Sequence, residues 1–521
     1  MNCSQKVIIY IKINVMIKIK LYTLLVVILF ATTTFAQSGI LDTSFGNNGI
    51  VLTDISPNAN QGNAVSAQVD GKIVVAGYAG DAATYNMAVA RYNTDGSLDT
   101  SFGDNGTLNF PVGSAKSIAT GMEIQADGKI ILGGYTDDNV SGDFALVRLN
   151  TDGTFDNTFG NNGIVIIDAG GNEVAKAMTI LDNGKILLAG ANDQNFSVAR
   201  FNTDGTLDTT FGVNGWSIII FEDNLSLVKD LTIQEDGKIL LGGDGIIDTY
   251  GIAAARINAD GTIDNTFGTN GKVRYSLSGI GNSTRFGGIA VQGDGKIFLG
   301  GWRGITTFYD EFLVLKLNTD GTLDSTYGYN GVVTAQIVLG YQMATTILLQ
   351  SDGKLILAGY AEYQSEYFNI VMVRFNTDGN LDTTFGTDGK VSTDINGNSD
   401  FATAISLQTD NKILLTGFSG TSAQDETIFV ARYENTILGT EDFQNMEFRL
   451  YPNPANEQIT IELSDASSNY LVEIFDVLGK KVYTSEIQKS KSIDVSALAP
   501  GTYLVKINSE NNTSIARFVK Q

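Results

Sequence analysis

The amino-acid sequence predicts an all-β chain, a seven-bladed β-propeller followed by a small Ig-like β-sandwich. The composition combines 58 glycines with 5 prolines and many aromatic residues, which favours short strands joined by turns. One unit of sequence recurs seven times in residues 37–435, and the repeats stop before residues 447–521. The 521 residues exceed what one ordinary domain holds unless repeats build it.

Two phrases mark each unit of the repeat. The phrase NTDGTLDTTFG at residues 202–212 has near copies after the fourth predicted strand of six units. The phrase GKI, or a close variant, recurs at intervals of 53 to 58 residues, with its lysine at Lys72, Lys129, Lys185, Lys238, Lys296, Lys354 and Lys412. A period of this length indicates a propeller or a solenoid. Four short strands per unit favour the propeller, with GIVLTDI (49–55) predicted as the first strand of the first unit.

The two ends of the repeat region predict a closed ring. The seventh unit ends at Asn435 without the LDxTFG half of the phrase, and that half stands alone at residues 41–46. A ring would bring this N-terminal piece beside the seventh unit. We call the repeated NTDGxLDxTFG segment, with its lone half at residues 41–46, the linker phrase. A basic residue in each fourth strand and an aspartate in each linker phrase suggest one ion pair per blade, and closure should pair Asp42 with Arg432. The alternative is a set of unpaired surface charges.

The first 36 residues have the pattern of a secretory signal peptide. Lys18 and Lys20 precede an apolar run of about 11 residues, which is too short for a stable membrane span, and small residues follow it. The single cysteine, Cys3, lies in this leader, so a processed chain would hold no disulfide. The expected organisation is a signal peptide at 1–36, the propeller at 37–435, a linker at 436–446 and a C-terminal domain at 447–521. We expect no transmembrane anchor in the mature chain.

Composition excludes several classes of function. The net charge of −23, near −27 once a leader with four lysines and no acid is removed, opposes binding to nucleic acid. The other interpretation of this net charge is that acidity simply keeps a secreted protein soluble. The chain has no histidine, which removes histidine-dependent catalysis and histidine-ligated zinc. No spacing singles out a pair of carboxylates for glycoside hydrolysis, so no catalytic residue is predicted.

The linker phrase also has a calcium interpretation, and calcium is the one cofactor that the sequence suggests. Asn202, Asp204 and Asp208 offer oxygen ligands around a turn glycine, as in loops of the D-x-[DN]-x-[DN]-G type. However, the loop lacks the closing bidentate glutamate and has two carboxylates at most. A plain hydrogen-bonded Asx turn is the other interpretation.

Departures from the repeat indicate where a specific site would lie, because the repeated residues build the frame. The fifth and sixth units depart most, and their aromatic side chains could stack on sugar rings. These candidate ligand-binding residues are Trp302, Tyr309, Tyr341, Tyr360, Tyr363 and Tyr367. The alternative is packing between blades, because Trp302 and Tyr360 fall where other units have Tyr78, Tyr135 and Phe418.

Phrases in both regions resemble known families. LYPNPANEQITIEL, IFDVLGKKVY, LAPGTYLVKI and the terminal RFVKQ occur in this order, and the tail resembles the C-terminal sorting domain of type IX secretion substrates. That resemblance implies transport across an outer membrane, the type IX machinery as a partner, and a secreted or cell-surface location. Residues 41–435 resemble the delta-60 β-propeller repeat family, a domain of unknown function that brings no catalytic residues.

Together these observations predict a secreted or cell-surface binding scaffold for a glycan or a protein. The aromatic departures in the fifth and sixth units carry this prediction. A secreted enzyme acting on extracellular polysaccharide is the alternative, and it has no motif behind it. A purely structural component of the cell surface is a third interpretation.

Overall fold

The computed structural model describes residues 38–435 and 448–520, apart from residues 115, 138–140, 222–224, 247–249, 278–282, 306–308, 364–366, 423–424, 464–469, 477–480, 489 and 509–512. The expected signal peptide and linker lie outside the described residues. Every regular element of the described part is a strand. The chain divides into two compact units, residues 1–436 and 437–521.

The strands of the first unit form seven four-stranded antiparallel sheets, the number of units in the repeat. The strands are β1 (Ile50–Thr53), β2 (Ala59–Ala67), β3 (Ile73–Gly80), β4 (Asn86–Tyr92), β5 (Thr107–Phe110), β6 (Lys116–Ile124), β7 (Ile130–Asp137), β8 (Gly142–Leu149), β9 (Ile164–Ile167), β10 (Glu173–Ile180), β11 (Ile186–Asn192), β12 (Asn195–Phe201), β13 (Trp216–Ile219), β14 (Leu225–Ile233), β15 (Ile239–Ile246), β16 (Tyr250–Ile257), β17 (Lys272–Tyr275), β18 (Thr284–Val291), β19 (Ile297–Gly304), β20 (Asp310–Leu317), β21 (Val332–Ala335), β22 (Gln342–Leu349), β23 (Leu355–Tyr363), β24 (Tyr367–Phe375), β25 (Lys390–Thr393), β26 (Ser399–Leu407), β27 (Ile413–Gly420) and β28 (Thr427–Tyr433).

The sheets follow one another around a ring. Six of them take four consecutive strands each, from β2–β5 to β22–β25, and the seventh has the order β1-β28-β27-β26. The first strand of each sheet contacts the first strand of the next sheet, and β26 contacts β2. We call these seven strands the innermost strands. The prediction of an all-β propeller is confirmed.

The position of β1 corrects the sequence analysis. GIVLTDI was predicted to belong to the sheet of its own unit, but Ile50 pairs with Ala431 and Thr53 pairs with Ile428 of the seventh sheet. The fourth strand of the first sheet is β5 instead. The physical reason is that the linker phrase turns the chain back along the predicted fourth strand that precedes it, where Asp99 N donates to Arg91 O at 2.9 Å. At the ring closure, Asp42 N donates in the same way to Arg432 O at 2.8 Å. The strand after each LDxTFG therefore completes the preceding sheet.

The repeated phrase bonds each blade to the next. Its first half is a turn closed by glycine, and Gly205 has a φ of +87°, which glycine adopts without strain. At the end of the same copy, Gly212 N donates to Asp260 O of the next copy at 2.7 Å. The last copy has no following turn, and Gly386 N donates to Ser38 O at 2.8 Å instead. Each copy therefore accepts a hydrogen bond from the copy before it, and each but the last donates one to the copy after it, which explains why the phrase recurs.

Ring closure includes the expected ion pair. Arg432 Nε lies 2.7 Å from Asp42 Oδ2, and Lys412 Nζ lies 2.6 Å from the same oxygen. Arg432 also donates to Thr94 O, in the first complete linker, at 2.7 Å. Burial alone would raise the pKa of Asp42, but Lys412, Ser44 and Arg432 together hold it well below its usual range. The sequence analysis does not anticipate the second cation, the lysine of the GKI phrase.

The same arrangement recurs in the other linkers where the fourth strand has an arginine. These pairs are Arg91–Asp99, Arg148–Asp156, Arg200–Asp208, Arg256–Asp264 and Arg374–Asp382. In the linker at Asp324, the lysine of the GKI phrase, Lys296, binds the carboxylate at 2.8 Å as its equivalents do. Lys316, which takes the place of the arginine, instead holds its ammonium group 4.8 Å from the ring of Phe298 and 5.0 Å from that of Tyr327.

One aromatic ring per linker packs between blades. Phe211 is fully buried in a cluster with Leu241 and Ala253 of the following sheet. The guanidinium of Arg200 lies 4.5 Å from the centroid of this ring, within the range of a cation–π contact. The equivalent rings are all buried, at Phe45, Phe102, Phe159, Phe267, Tyr327 and Phe385.

A buried polar residue stands at the start of each innermost strand. By strand register these residues are Asn60, Ser117, Glu173, Ser226, Thr284, Gln342 and Asp400. Five of them, all except Glu173 and Ser226, accept a hydrogen bond from the connection that leads into the strand, as Asn60 Oδ1 does from Ile55 N at 2.9 Å and Ser56 N at 2.8 Å. In the seventh sheet, Asp400 Oδ2 accepts from Ile395 N at 2.7 Å, whereas Oδ1 makes no hydrogen bond of normal geometry.

Replacing Asp400 with asparagine should stabilise the protein above neutral pH. Burial raises the pKa of the Asp400 carboxyl group from its ordinary value of 3.8 to about 7, so the wild type loses stability as the pH rises from 3.8 to about 7, and the variant does not. We expect Asp400→Asn to raise the free energy of unfolding by about 1–3 kcal/mol at pH 8 and by much less at pH 5. Urea denaturation at both pH values measures this, with Asp410→Asn in an exposed turn as the control. A gain of equal size at both pH values would contradict the stated cause.

The second unit consists of two further sheets. Its strands are β29 (Phe448–Tyr451), β30 (Gln458–Leu463), β31 (Tyr470–Asp476), β32 (Lys481–Ile487), β33 (Ser490–Asp494), β34 (Gly501–Asn508) and β35 (Thr513–Lys520). The sheets have the orders β29-β30-β33 and β32-β31-β34-β35. Ile461 and Ile493 of the first sheet share a buried core with Val472 and Val505 of the second, as a β-sandwich requires. The sequence analysis omits β29, and the Ig-like class of the sandwich stays a prediction.

Candidate functional site

Each innermost strand has a register shift that adds one residue, the bulge residue, and each lies beside the innermost strand of the next sheet. In four sheets the side chain of this bulge residue donates to a backbone carbonyl of the neighbour. These bonds run from Asn63 to Ala119, Lys229 to Phe286, Thr345 to Ala402 and Thr403 to Gly62. Lys176 and Lys229 occupy the bulges of β10 and β14. Bulges re-aim side chains and are common beside functional sites.

A cavity of about 550 Å³ lies among the innermost strands of the third to sixth sheets. We call it the central cavity. Its charged, aromatic and hydroxyl-bearing residues are Lys176, Lys229, Arg285, Phe286, Trp302, Thr345 and Tyr360. The volume is in the range of small-molecule and sugar sites in proteins.

The central cavity is positively charged. Lys229 Nζ lies 2.9 Å from the buried carboxylate of Asp244, and Arg285 lies 3.2 Å from the same oxygen. One carboxylate therefore balances two cations, and Lys176 adds a third. Removal from bulk water lowers the pKa of Lys176, and the nearby charge of Lys229 lowers it further. Asp230, beside Lys229, turns its carboxylate to the amides of Ile289 and Leu231 instead.

Trp302 and Tyr360 line the central cavity from the fifth and sixth sheets. Both are half-buried, and strand register places both at the position of Phe418. The Tyr360 ring also meets Phe401 edge-on at a centroid distance of 4.8 Å. Its hydroxyl donates to Met343 Sδ at 2.9 Å. Tyr360 therefore packs between blades and also lines the central cavity, and its role in ligand binding stays a prediction.

The other four predicted aromatic residues lie outside the lining of the central cavity. Tyr309, Tyr341, Tyr363 and Tyr367 are exposed, by 39–45%. Tyr363 and Tyr367 face each other across the β23–β24 hairpin. Tyr341 O accepts from Glu362 N at 2.7 Å, next to the same hairpin. The structure thus brings two of the six predicted residues into one cavity and leaves four on the surface.

Asp208, one of the three ligands in the calcium prediction, forms the ion pair of its linker phrase. Its Oδ2 atom lies 2.6 Å from Lys185 Nζ and 2.6 Å from Arg200 Nε. Its Oδ1 atom accepts from the hydroxyl of Thr210 at 2.6 Å. Two cations already neutralise this carboxylate, so it cannot serve as a charged calcium ligand without breaking the pair.

The other two residues of that prediction form an Asx turn. Asp204 Oδ1 accepts from the amide of Thr206 at 2.9 Å and from its hydroxyl at 2.7 Å. Asn202 Nδ2 donates to the same hydroxyl at 3.0 Å. These bonds favour the turn over the calcium loop, as the missing glutamate already suggests.

Two clefts at the opposite end of the sheets repeat from blade to blade. One, of about 500 Å³, includes Lys238 and Arg256, and the other, of about 430 Å³, includes Lys72 and Arg91. These residues belong to the linker ion pairs, so the clefts are part of the frame.

The sequence analysis does not single out Lys176, Lys229 or Arg285. A usable signal was present, because VAKAMTI and LVKDLTI each place a lysine inside an otherwise apolar strand. The equivalent bulge positions of other sheets hold Asn63, Thr120 and similar uncharged residues.

None of the described residues forms a helix of the length and apolarity that a membrane crossing needs. Two families match the sequence. A β-propeller domain of unknown function, DUF5122, matches residues 68–102, 125–159, 181–211, 234–267, 292–327 and 350–385. The secretion system C-terminal sorting domain matches residues 449–521.

Solved structures resemble the chain only distantly, and no curated protein sequence matches it. Polysaccharide lyase Uly1 is 12% identical, over 78% of this chain and 94% of that one, with a TM-score of 0.42. An ulvan lyase of family PL25, bound to -[GlcA(1-4)Rha3S]-, is 11% identical over 73% and 95%, with a TM-score of 0.41. Sqt1 from Chaetomium thermophilum is 12% identical over 74% and 98%, with a TM-score of 0.39. Similarity at this level does not extend to function.

The two family matches cover different units of the structure. The DUF5122 matches fall on the ring of four-stranded sheets, and the sorting domain coincides with the second unit. A type IX sorting domain indicates secretion or attachment to the cell surface, so the predicted location is confirmed. The chain carries DUF5122 β-propeller repeats within residues 68–385 and a C-terminal type IX sorting domain, and it is a secreted or cell-surface protein.

Proposed function

We propose that the propeller binds an anionic glycan in the central cavity. The observation that carries this proposal is a cluster of three cations beside two aromatic rings, in a protein whose net charge is −23. A strongly acidic chain repels anions in general. A positive cavity at the ring axis therefore indicates a specific anionic ligand.

The charge is available for a ligand. Asp244 neutralises one of the positive charges of Lys229 and Arg285, and Lys176 brings the net excess of these side chains to two. Lys176 is exposed to solvent at the cavity. Carboxylate or sulfate groups on a sugar chain would accept charge-assisted hydrogen bonds from these donors.

The rings favour a sugar over an inorganic anion. Trp302 and Tyr360 present apolar faces next to the cations, and Thr345 offers a hydroxyl in the same cavity. Sugar rings stack on such faces and exchange hydrogen bonds with such polar groups. The tyrosines at the β23–β24 hairpin and at Tyr309 and Tyr341 would extend this surface for a longer chain.

Binding of defined oligosaccharides to the purified full chain tests the proposal. Isothermal titration with uronic-acid and sulfated oligosaccharides, and with neutral ones of equal length, should show binding of the anionic set that weakens as salt is added. Lys176→Gln should lower the affinity at least tenfold, since a hydrogen bond to a charged group is worth about 1.5–3 kcal/mol. Trp302→Ala should also lower it at least tenfold, because it removes the ring on which the sugar would stack. Lys116→Gln and Tyr329→Ala are the matched controls, because neither residue lines the cavity.

Two results would contradict the proposal. Equal affinity for neutral and anionic oligosaccharides would remove the role of the cations. An anionic ligand that binds the Lys176→Gln variant as tightly as the wild type would place the site elsewhere. Release of reducing ends during the same incubations would instead support the alternative prediction of a polysaccharide-cleaving enzyme.

A further inference from the structure

Three carboxylates meet where the second sheet adjoins the third. Asp143 lies in β8, Asp168 directly follows β9, and Glu173 begins β10. An oxygen atom from each lies within 4.8 Å of the other two. We call these residues the acidic junction. Carboxylates this close repel one another unless a cation or a proton lies between them.

Glu173 is the unusual member of the acidic junction. Its side chain is fully buried, and neither carboxylate oxygen makes a hydrogen bond of normal geometry. An unpaired charge in a buried position costs several kcal/mol, so the folded protein needs a partner for Glu173.

Other blades show what normally fills this position. Asn60 and Gln342 are the equivalents of Glu173 by strand register. The Asn60 amide donates to Glu426 O at 3.0 Å, and the Gln342 amide donates to Asp310 O at 2.5 Å. These bonds connect neighbouring blades. An ionised carboxylate has no proton to donate to such a carbonyl oxygen, and a bound cation would restore the connection.

The two aspartates also replace a donor–acceptor pair found elsewhere. In the seventh sheet the equivalent residues are Thr427 and Asp54, and the hydroxyl of Thr427 donates to Asp54 Oδ1 at 2.6 Å. In the second sheet, strand register places Asp143 where Thr427 stands and Asp168 where Asp54 stands. Two acids directly opposite each other across antiparallel strands destabilise a sheet.

We propose that the acidic junction binds a calcium ion that joins the second and third blades. Calcium binds carboxylate oxygens at about 2.3–2.6 Å, so ligand atoms separated by up to about 5 Å fit around one ion. The three residues supply a net charge of −3 from three different strands or strand ends. This site is distinct from the central cavity and does not depend on the proposed function.

Calcium titration of the metal-free full chain tests the proposal. Isothermal titration should show one ion bound per chain, with a dissociation constant on the order of 10⁻⁴ M or lower. The midpoint of thermal unfolding should rise with added calcium and fall again with a chelator. A chain that takes up no calcium at millimolar concentration, and whose unfolding midpoint does not respond, overturns the proposal.

Variants locate the site. Glu173→Gln supplies the amide that Gln342 provides in the sixth sheet, so it should fold, bind calcium at least tenfold more weakly and lose the calcium response of its unfolding midpoint. Asp168→Asn, at an exposed residue, should weaken binding by a similar factor. Asp204→Asn in the linker turn is the matched control and should bind as the wild type does. Loss of binding in the control alone would move the ion to the linker and overturn the proposal.

Discussion

Replacement of Asp42 by alanine should lower the free energy of unfolding by about 3–5 kcal/mol. The carboxylate of Asp42 holds Arg432 at 2.7 Å and Lys412 at 2.6 Å, and Arg432 is only 6% exposed. The variant leaves this guanidinium buried without its counter-ion. It also removes the acceptor that joins the N-terminal segment to the last sheet. The ring should therefore weaken where the two ends of the propeller segment meet. Urea denaturation of the full chain, followed by tryptophan fluorescence, measures the change.

Asp95→Ala is the matched control for this prediction. Asp95 lies in an exposed turn of the same repeated phrase, where its Oδ1 atom accepts only from the amide and hydroxyl of Ser97. Its loss should cost about 1 kcal/mol or less. If Asp42→Ala destabilises the protein no more than Asp95→Ala does, the ion pair does not stabilise closure.

Phe211→Ala should also cost about 3–5 kcal/mol of unfolding free energy. The Phe211 ring is fully buried against Leu241 and Ala253 of the next sheet, so its removal leaves a cavity between two blades. The guanidinium of Arg200, 4.5 Å from the ring centroid, loses a cation–π contact as well. Urea denaturation again supplies the measurement.

Tyr329→Ala provides the comparison for Phe211→Ala. The Tyr329 side chain is 82% exposed, two residues after the aromatic position of its own linker, so its loss should change the free energy of unfolding by about 0.5 kcal/mol or less. A cost below about 1 kcal/mol for Phe211→Ala would show that the blades close over the missing ring.

Repetition made the ring predictable from the sequence, but not the membership of every strand. The lone LDxTFG at residues 41–46 and its absence after Asn435 predict closure, and the pair of Asp42 and Arg432 follows from that. The sheet to which β1 belongs could not be predicted in the same way. Strand alternation reports which face of a strand is buried, whereas the partner of β1 depends on the direction in which the linker turns the chain.

The candidate site was predictable only in part, for a similar reason. Departures from the repeat pointed to Trp302 and Tyr360, which line the central cavity. The charge of the cavity comes from Lys176 and Lys229, and a β-bulge in each strand directs these side chains. A bulge shifts the face of every following residue, so alternation alone cannot assign it. The ion pair of Asp208 could not be predicted from local spacing, because Lys185, which binds its carboxylate, lies 23 residues before it in the chain. The calcium loop stays a prediction.

The pairing of residues 38–41 with residues 433–435 has a consequence for how the protein is made. Gly39 N donates to Glu434 O at 2.6 Å, and Glu434 N donates to Ile40 O at 2.8 Å. Residues 38–41 therefore leave the ribosome before almost the entire propeller, including their partner at residues 433–435, has been made. Such distant contacts form slowly, since a long loop must close before they give any stability. The last strand synthesised before the sorting domain, β28, completes the ring. A chain whose synthesis stopped before β28 would therefore enter the secretion pathway with an unpaired strand edge.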